Sequence, residues 1–192
     1  MLAYLESYFD LRKSFVFYGA YHHQWQNQMI HVIFVPAIFT TAMSFLARVP
    51  IAGGITLSHI TAAFYAVSFI KMEPVAGALY APIIGAMEYL GLRVLINHVP
   101  ISIAIHALGW AVQIMGHKFL EGRQPAFMED PLQAIHAALL FAWLEVLFFL
   151  GYRPAMKAEL DKLIKVQIEK MNAAKQAGKA PIMKVAPKKV ST

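Results

Sequence analysis

Residues 94–117 read VLINHVPISIAIHALGWAVQIMGH and contain no aspartate, glutamate, lysine or arginine. A helix that crosses the hydrocarbon core of a bilayer needs about 20 predominantly apolar residues, and this stretch is longer than that. Its most polar side chains are those of asparagine, glutamine and three histidines. The stretch therefore predicts a transmembrane helix that carries polar groups into the membrane.

The rest of the chain has the same apolar character. Of its 192 residues, 58% are hydrophobic and 15% are charged, and the mean hydropathy is +0.52. One soluble core of this size cannot hide so much apolar surface. We therefore expect an all-α, multi-pass transmembrane helical bundle. The apolar stretches lie, in chain order, at residues 31–47, 49–70, 74–87, 94–117 and 131–152.

These five stretches are not equally long. Against a lower limit of about 17 residues for a span, the first is borderline. The third reaches span length only by including Glu88 and Arg93, while the second, fourth and fifth qualify best. Prolines between the stretches lack an N–H donor and disfavour helix at the preceding residue, so short turns between antiparallel helices are expected there.

The carboxyl-terminal part of the chain is basic. Residues 153–192 contain ten lysines and arginines against three acidic residues, whereas the whole chain has a formal charge of +6. Apolar residues from Met156 to Met171 recur at helical spacing with lysines between them, which predicts a surface-lying amphipathic helix. We therefore expect a membrane-embedded helical domain that holds the active site, residues 1–154, and a segment of amphipathic helix and disordered basic tail, residues 155–192, with the tail beginning at Ala174.

The basic tail suits an anionic cytoplasmic leaflet, where each basic group contributes about 1 kcal/mol. Nucleic acid is not an expected partner, because the tail lacks the interleaved aromatic residues of a single-strand reader. No removable signal peptide is expected in residues 1–27, which have no continuous apolar core. The charged loop at residues 118–130 should face the cytoplasm with the tail. We favour an even number of crossings with both ends cytoplasmic, in which either the last stretch is re-entrant or interfacial or one earlier stretch does not span.

Histidine is the residue type that offers chemistry. Cysteine is absent, which excludes disulfides, thiolate metal sites and cysteine nucleophiles, and eight histidines are present. His59, His98 and His136 have no other potential ligand at a suitable spacing, so we interpret them as ordinary polar residues at helix ends or in hydrogen-bonded core positions. The other five histidines fall into two clusters.

The first cluster reads YHHQWQNQMIH at residues 21–31. Within it, His23, Asn27 and His31 are spaced four residues apart. A helix would place them along one slowly rotating stripe, at the point where the polar start of the chain meets the first apolar stretch. This spacing predicts one polar helix face.

The second cluster lies at the end of the fourth apolar stretch. His106 and His117 are eleven residues apart, which is three helical turns and about 20°. Gln113 lies between them on the same face, and Glu121 follows His117 by four residues. One helix is therefore predicted to carry a line of His, Gln, His and Glu.

Two polar stripes in a hydrophobic protein need one another, a metal or water, because burying an unpaired polar group costs about 2 kcal/mol or more. Neutral imidazole binds iron, zinc, copper and nickel. Three or four histidines from two helices would leave open positions on a six-coordinate iron. A zinc hydrolase or a buried hydrogen-bond network would use similar residues, so spacing alone leaves these alternatives open.

Both clusters resemble blocks of one membrane family, typified by the endoplasmic reticulum 2-hydroxy fatty acid dioxygenase of phytosphingosine breakdown. The run YHH at residues 21–23, Asn27 and the run HVIFVP at residues 31–36 are similar to its first signature. The resemblance covers residues 11–156, although the middle of the chain is similar only in hydropathy. Its second block is matched here by Trp110, Gln113, Gly116, His117, Glu121, Arg123, Pro125 and Ala126.

The resemblance implies an Fe(II)-dependent dioxygenase that uses O2 to shorten a long-chain 2-hydroxy fatty acid by one carbon. The ligands of the iron, or their supports, would be His22, His23, His31 and His117. His106 joins this set because of its helical alignment with His117. The compartment would be the endoplasmic reticulum membrane in a eukaryote or the inner membrane in a bacterium.

Other residues are expected around the iron. Gln113 and Glu121, with Asn27, would orient the imidazoles through hydrogen bonds. Arg123, or Lys118 nearby, would bind the substrate carboxylate, since arginine binds carboxylates with two parallel hydrogen bonds. The acyl chain would lie among aromatic residues, namely Phe34, Phe39, Phe141 and Trp143.

Two other functions were compared with the dioxygenase. A fatty-acyl hydroxylase or desaturase would need several His-x-x-His-His or His-x-x-x-His boxes for two metals, and the sequence has neither. A membrane transporter or scaffold without chemistry, whose polar stripes line a path or a helix contact, remains open as an alternative.

Overall fold

A computed structural model describes residues 9–177 of the chain. Most of these residues are helical, and one short antiparallel hairpin joins β1 (Pro50–Ala52) to β2 (Ile55–Thr56). The all-α fold class predicted from the sequence is confirmed. The α-helices are α1 (Leu11–Tyr21), α2 (Trp25–Leu46), α3 (Leu57–Met72), α4 (Pro74–Tyr89), α5 (Val99–Gly116), α6 (Pro131–Phe149) and α7 (Pro154–Gln176).

Four helical segments of the described chain are long and apolar enough to cross a membrane, so the protein is an integral membrane protein. Two of them gain length from π-helical turns, Leu90–Val94 after α4 and His117–Glu121 after α5. The third apolar stretch reaches span length in this way, and it includes Glu88 and Arg93 as predicted. The four segments are Trp25–Leu46, Pro74–Asn97, Val99–Glu121 and Pro131–Phe149.

The second apolar stretch forms a shorter helix than was expected. Gly53 and Gly54 turn the chain with φ values of +56° and +79°, a left-handed conformation that glycine adopts readily. Helix α3 begins only at Leu57 and has 16 residues, just below the limit of about 17 for a span. The prediction was wrong because it weighed hydropathy above the turn-forming glycines.

Helix α2 packs closely against α5 through small residues. A Cβ atom on Gly116 would lie 2.5 Å from Oδ1 of Asn27, and one on Gly109 would lie 2.7 Å from a side-chain carbon of Ile38. Helices in membranes associate through such small residues, because lipid provides no hydrophobic driving force for their contact. This packing brings the end of α5 against the start of α2. We call this end of the bundle the histidine end.

Helices α1 and α7 both lie at the histidine end. Leu160 and Ile164 on the apolar face of α7 are buried, and Ile164 packs directly against Gly19 of α1. The amphipathic helix predicted for residues 155–173 is confirmed, although its apolar face contacts protein. Helix α7 continues to Gln176, past the predicted start of the disordered tail at Ala174, and residues 178–192 lie outside the described residues.

Helix α6 begins and ends at the histidine end. Near its start, Gln133 donates a hydrogen bond to Ser14 of α1 (3.0 Å). Just after its end, Tyr152 donates to the carboxylate of Glu73 (3.0 Å), and Arg153 forms an ion pair with the same carboxylate (3.0 Å). Glu73 joins α3 to α4 where α3 has returned to the histidine end. Helix α6 therefore does not run from one end of the bundle to the other, despite its length.

Candidate metal centre

Three histidines meet at the histidine end, each from a different element. His22 follows the last residue of α1, His31 lies in the second turn of α2, and His117 is the first residue of the π-helical turn after α5. All three are buried. One ring nitrogen from each lies within 4.8 Å of the others. The part of the chain that the structure describes holds no second such group of histidines and carboxylates.

The backbone fixes the orientation of two of these rings. Nδ1 of His22 lies 2.7 Å from the carbonyl oxygen of Tyr18, and Nδ1 of His31 lies 2.9 Å from that of Asn27. A carbonyl oxygen only accepts, so each Nδ1 carries the proton of its ring. The Nε2 atoms of His22 and His31 are then left with lone pairs, and they face each other at 3.1 Å. Two lone pairs at this distance repel unless a cation lies between them.

The three histidines fit a bound divalent metal ion. Two imidazole nitrogens that bind one ion at about 2.1 Å, at a right angle, lie about 3 Å apart, close to the separation of the two Nε2 atoms. A set of three neutral imidazoles suits iron, zinc or copper. It also leaves coordination positions for other ligands. The residues present therefore fit iron.

Burial keeps His22 in the neutral form that a metal requires. The pKa of His22 lies well below its ordinary value, mainly because burial disfavours the charged imidazolium and further because His31 and His117 are close. The ring of Tyr18 stacks on the His22 ring, with 4.0 Å between ring centroids. A neutral imidazole is the form that binds metal ions.

Glu121 connects the elements that carry the histidines. Its Oε1 atom accepts a hydrogen bond from the backbone N–H of Gln24 (3.0 Å) and another from the side-chain amide of Asn27 (3.1 Å). The carbonyl of Asn27 in turn orients His31. Glu121 thus holds the start of α2 against the turn that begins with His117. The imidazole that its carboxylate contacts is that of His23 and not one of the three clustered rings that it was predicted to orient.

His23 does not join the other histidines. Helix α2 begins only at Trp25, so His23 lies in the link between α1 and α2 and not on the stripe that carries Asn27 and His31. Its side chain is 33% exposed and pairs with the carboxylate of Glu121. The helix break at residues 22–24 turns His22 inward and His23 outward, which the spacing argument did not anticipate.

His106 is also separate from the other histidines. It precedes His117 by three helical turns, about 16 Å along α5, and its ring nitrogens bond to the hydroxyl of Thr41 (2.9 Å) and the indole N–H of Trp110 (3.1 Å). Alignment on one helix face therefore does not bring it within reach of the same ion. The interpretation of His59, His98 and His136 as ordinary polar residues agrees with their positions outside the cluster.

The predicted carboxylate-binding residues lie in a different groove. Arg123 donates to the side chain of Asn172 (2.6 Å) and contacts the sulfur of Met171 (3.6 Å), both on α7. Lys118 lines the same groove, which adjoins the space that His22 and His31 line, since Ile114 and Pro125 line both. The structure therefore places Arg123 as a link between the loop after α5 and α7.

A cavity of about 450 Å³ extends from the three histidines into the bundle, within the range of about 300–1,000 Å³ typical of ligand pockets. Gln113 lines it beside the histidines, and its Nε2 donor is buried without a partner. The remaining walls are largely apolar. Of the aromatic residues expected along an acyl chain, Phe39 and Phe141 line the cavity, whereas Phe34 and Trp143 do not.

Tyr18 belongs to this site but was not identified from the sequence. It lines the cavity, stacks on His22, and carries a buried hydroxyl without a hydrogen-bond partner in the described chain. Tyr18 precedes His22 by four residues on a helix, and residues at this spacing are neighbours. That spacing is the signal that would have identified it.

Comparison with known proteins points to one family. The model of one protein family, described as "Mpo1-like: 2-hydroxy-palmitic acid dioxygenase Mpo1-like", matches residues 8–150. The chain is also 29% identical over 175 residues to the 2-hydroxy-palmitic acid dioxygenase MPO1 of Saccharomyces cerevisiae, covering 89% of this chain and 99% of that protein. No solved structure matches the chain. The family match spans all three clustered histidines and Glu121.

Proposed function

Since the chain belongs to the Mpo1-like family of 2-hydroxy-palmitic acid dioxygenases, we propose that it is an Fe(II)-dependent dioxygenase that shortens long-chain 2-hydroxy fatty acids by one carbon. The observation that carries the proposal is the placement of the three histidines. One ring nitrogen from each converges with the others at one end of a largely apolar cavity. Such a site offers a metal ion to the polar head of a molecule whose tail is hydrocarbon.

The proposed reaction conserves atoms and electrons. A 2-hydroxy acid, R–CH(OH)–COOH, reacts with O2 to give R–COOH, CO2 and water. The bond between C1 and C2 breaks, and C1 leaves as CO2. The carbons of the substrate lose four electrons, which reduce O2 completely, so no further reductant is needed.

Each part of the site has a task in this reaction. His22, His31 and His117 would hold the iron, which supplies the activation of O2 when bound. The apolar walls hold the acyl chain and keep water away from the reacting carbon. Gln113 faces the cavity beside the histidines with a free N–H donor, so it is placed to bind the carboxylate or the 2-hydroxyl group. This assignment replaces Arg123, which α7 engages.

Isotope labelling tests the proposed reaction. Purified protein is loaded anaerobically with Fe(II). It is then mixed with an O2-saturated solution of 2-hydroxyhexadecanoic acid labelled with 13C at C1. We expect O2 consumption, unlabelled pentadecanoic acid and labelled CO2. Label that remains in a sixteen-carbon product would contradict the loss of one carbon. Transport of the acid by metal-free protein without O2 consumption would support the alternative of a transporter.

A further inference from the structure

The cavity follows one face of α2 over most of its length. Seven residues of this helix, from His31 to Leu46, line it at steps of one, three or four residues. Fifteen residues separate these two positions, which is about 22 Å of α-helix. The cavity is therefore long and narrow, with the histidines at one end and the last turn of α2 at the other.

This length suits one complete acyl chain. The hydrocarbon core of a bilayer is about 30 Å thick, so the chains of one leaflet span about 15 Å of it. The cavity exceeds that length by enough to include the polar head of a fatty acid at the histidines. A chain bound in this direction would place its methyl end near Leu46.

The far end of the cavity is apolar. Ala42, Met43 and Leu46 of α2 line it together with Thr61 of α3. The hydroxyl group of Thr61 donates to the carbonyl of Leu57 on its own helix (2.8 Å), so this residue does not need a polar ligand. No charged side chain among residues 9–177 lines the cavity. The far end therefore suits the methyl end of a hydrocarbon chain and not a second polar group.

We propose that Ala42, Leu46 and Thr61 set the chain length of the 2-hydroxy acid that the enzyme accepts. This inference rests on the function proposed above and adds the residues that determine its specificity. Ala42 has the smallest side chain at the far end, so a larger side chain there shortens the space for the substrate. Removing the side chain of Leu46 lengthens it.

The test compares kcat/KM for 2-hydroxy acids of 12, 14, 16 and 18 carbons. One methylene that does not fit an apolar pocket costs about 10-fold or more. Ala42→Phe is expected to lower kcat/KM for the 16-carbon acid by at least about 10-fold relative to the 12-carbon acid. Leu46→Ala is expected to raise the ratio of kcat/KM for the 18-carbon acid to kcat/KM for the 16-carbon acid by about 3-fold or more.

A matched control separates cavity size from general damage to the fold. Ala111 is an exposed residue of α5 that does not line the cavity, so Ala111→Phe should leave both ratios within about 2-fold of wild type. Binding of unsubstituted fatty acids of the same lengths to the metal-free protein gives a second readout. The same shift in length preference is expected there.

The outcomes distinguish the two proposals. Wild-type protein that consumes none of the 2-hydroxy acids contradicts the proposed function. If the wild-type protein is active but neither Ala42→Phe nor Leu46→Ala changes the length preference in turnover or in binding, the inference is contradicted and the proposed function is not. If Ala42→Phe does not fold, the length profile of Leu46→Ala alone tests the inference.

Discussion

Glu121 is a buried acid that supports the candidate metal centre without belonging to the group of three histidines. One of its oxygens accepts hydrogen bonds from Gln24 and Asn27, and Asn27 positions the ring of His31. Residues that hold metal ligands in place usually contribute about 10- to 100-fold to metal affinity. The importance of Glu121 should therefore lie in its acceptor oxygen rather than in its charge alone.

We expect Glu121→Ala to weaken iron binding by about 10- to 100-fold. Glu121→Gln keeps a carbonyl oxygen that can accept the same hydrogen bonds, so its loss of affinity should be clearly smaller. Competition with a chelator at constant pH measures both affinities. Equal losses for the two variants would show that the hydrogen bonds from Gln24 and Asn27 do not support the site.

His22 and His23 are adjacent in the chain but lie in different environments. The ring of His22 is buried against His31 and His117, while the partly exposed ring of His23 pairs with the buried carboxylate of Glu121. His22→Ala is expected to abolish retention of iron after desalting, and His23→Ala should keep most of it. Metal analysis of both purified variants is the measurement. Full iron retention by His22→Ala would remove it from the set of ligands.

The sequence identified both histidine clusters but not which members meet. The pairing of His31 with His117 could be predicted because both lie near polar ends of apolar stretches. The choice of His22 over His23 could not, because it depends on a helix break between Tyr21 and Trp25 that no proline or glycine marks. His106 was included because it lies on the same helix face as His117. Alignment on a face gives the direction of a side chain around the helix axis, but it does not give the distance along that axis.

At the scale of elements, the contact between α2 and α5 determines whether the histidines meet. Gly116 sits next to His117, and a Cβ there would lie 2.5 Å from Oδ1 of Asn27 and 3.2 Å from Ile30. The two helices would have to separate to admit it. The distance between His31 and His117 would then increase.

Gly116→Ala is therefore expected to cost about 1–3 kcal/mol of stability and to weaken iron binding by at least about 10-fold. Gly85→Ala on α4 is the control, since a Cβ there meets nothing within 4 Å and alanine favours a helix by about 0.5–1 kcal/mol. Thermal unfolding and iron titration in the same detergent measure both effects. Tight iron binding by Gly116→Ala would contradict the role assigned to this contact.

Hydropathy predicted most helices of the bundle but not their local geometry. It located the cores of the apolar helices, because lipid exposure requires apolar residues along the whole length of a helix. It failed at residues 49–56, where two glycines allow a hairpin. The π-helical turn that begins at His117 was also not predicted from the sequence.

At the scale of the whole molecule, the course of α6 decides the membrane topology. Helices α1 and α7 pack together at the histidine end, and α6 both begins and ends there. If α2, α3, α4 and α5 all cross the membrane, a re-entrant or interfacial α6 leaves α1 and α7 on the same side. The sequence predicted an even number of crossings with both ends cytoplasmic, and it left open whether the last stretch is re-entrant or one earlier stretch does not span. This stays a prediction.

Cysteine labelling tests this topology directly, because the chain contains no cysteine. Single cysteines at the exposed positions Gln26, Gly122 and Lys162 should react with a membrane-impermeant reagent from the same side. A cysteine at Ala52, in the hairpin at the other end of the bundle, should react from the opposite side. Labelling of Gln26 and Gly122 from opposite sides would exclude a metal site shared by α2 and α5.

Iron content measured together with O2 consumption tests whether histidines from separate helices hold one catalytic iron. His31→Ala and His117→Ala are expected to lose both bound iron and turnover of 2-hydroxyhexadecanoic acid, at equal amounts of folded protein. His136→Ala is the control, because its ring bonds to Ser68 (2.8 Å) outside the cluster, and it should retain both. If His31→Ala or His117→Ala binds one iron per chain and consumes O2 at the wild-type rate, that histidine is not a ligand and the metal centre described above is wrong.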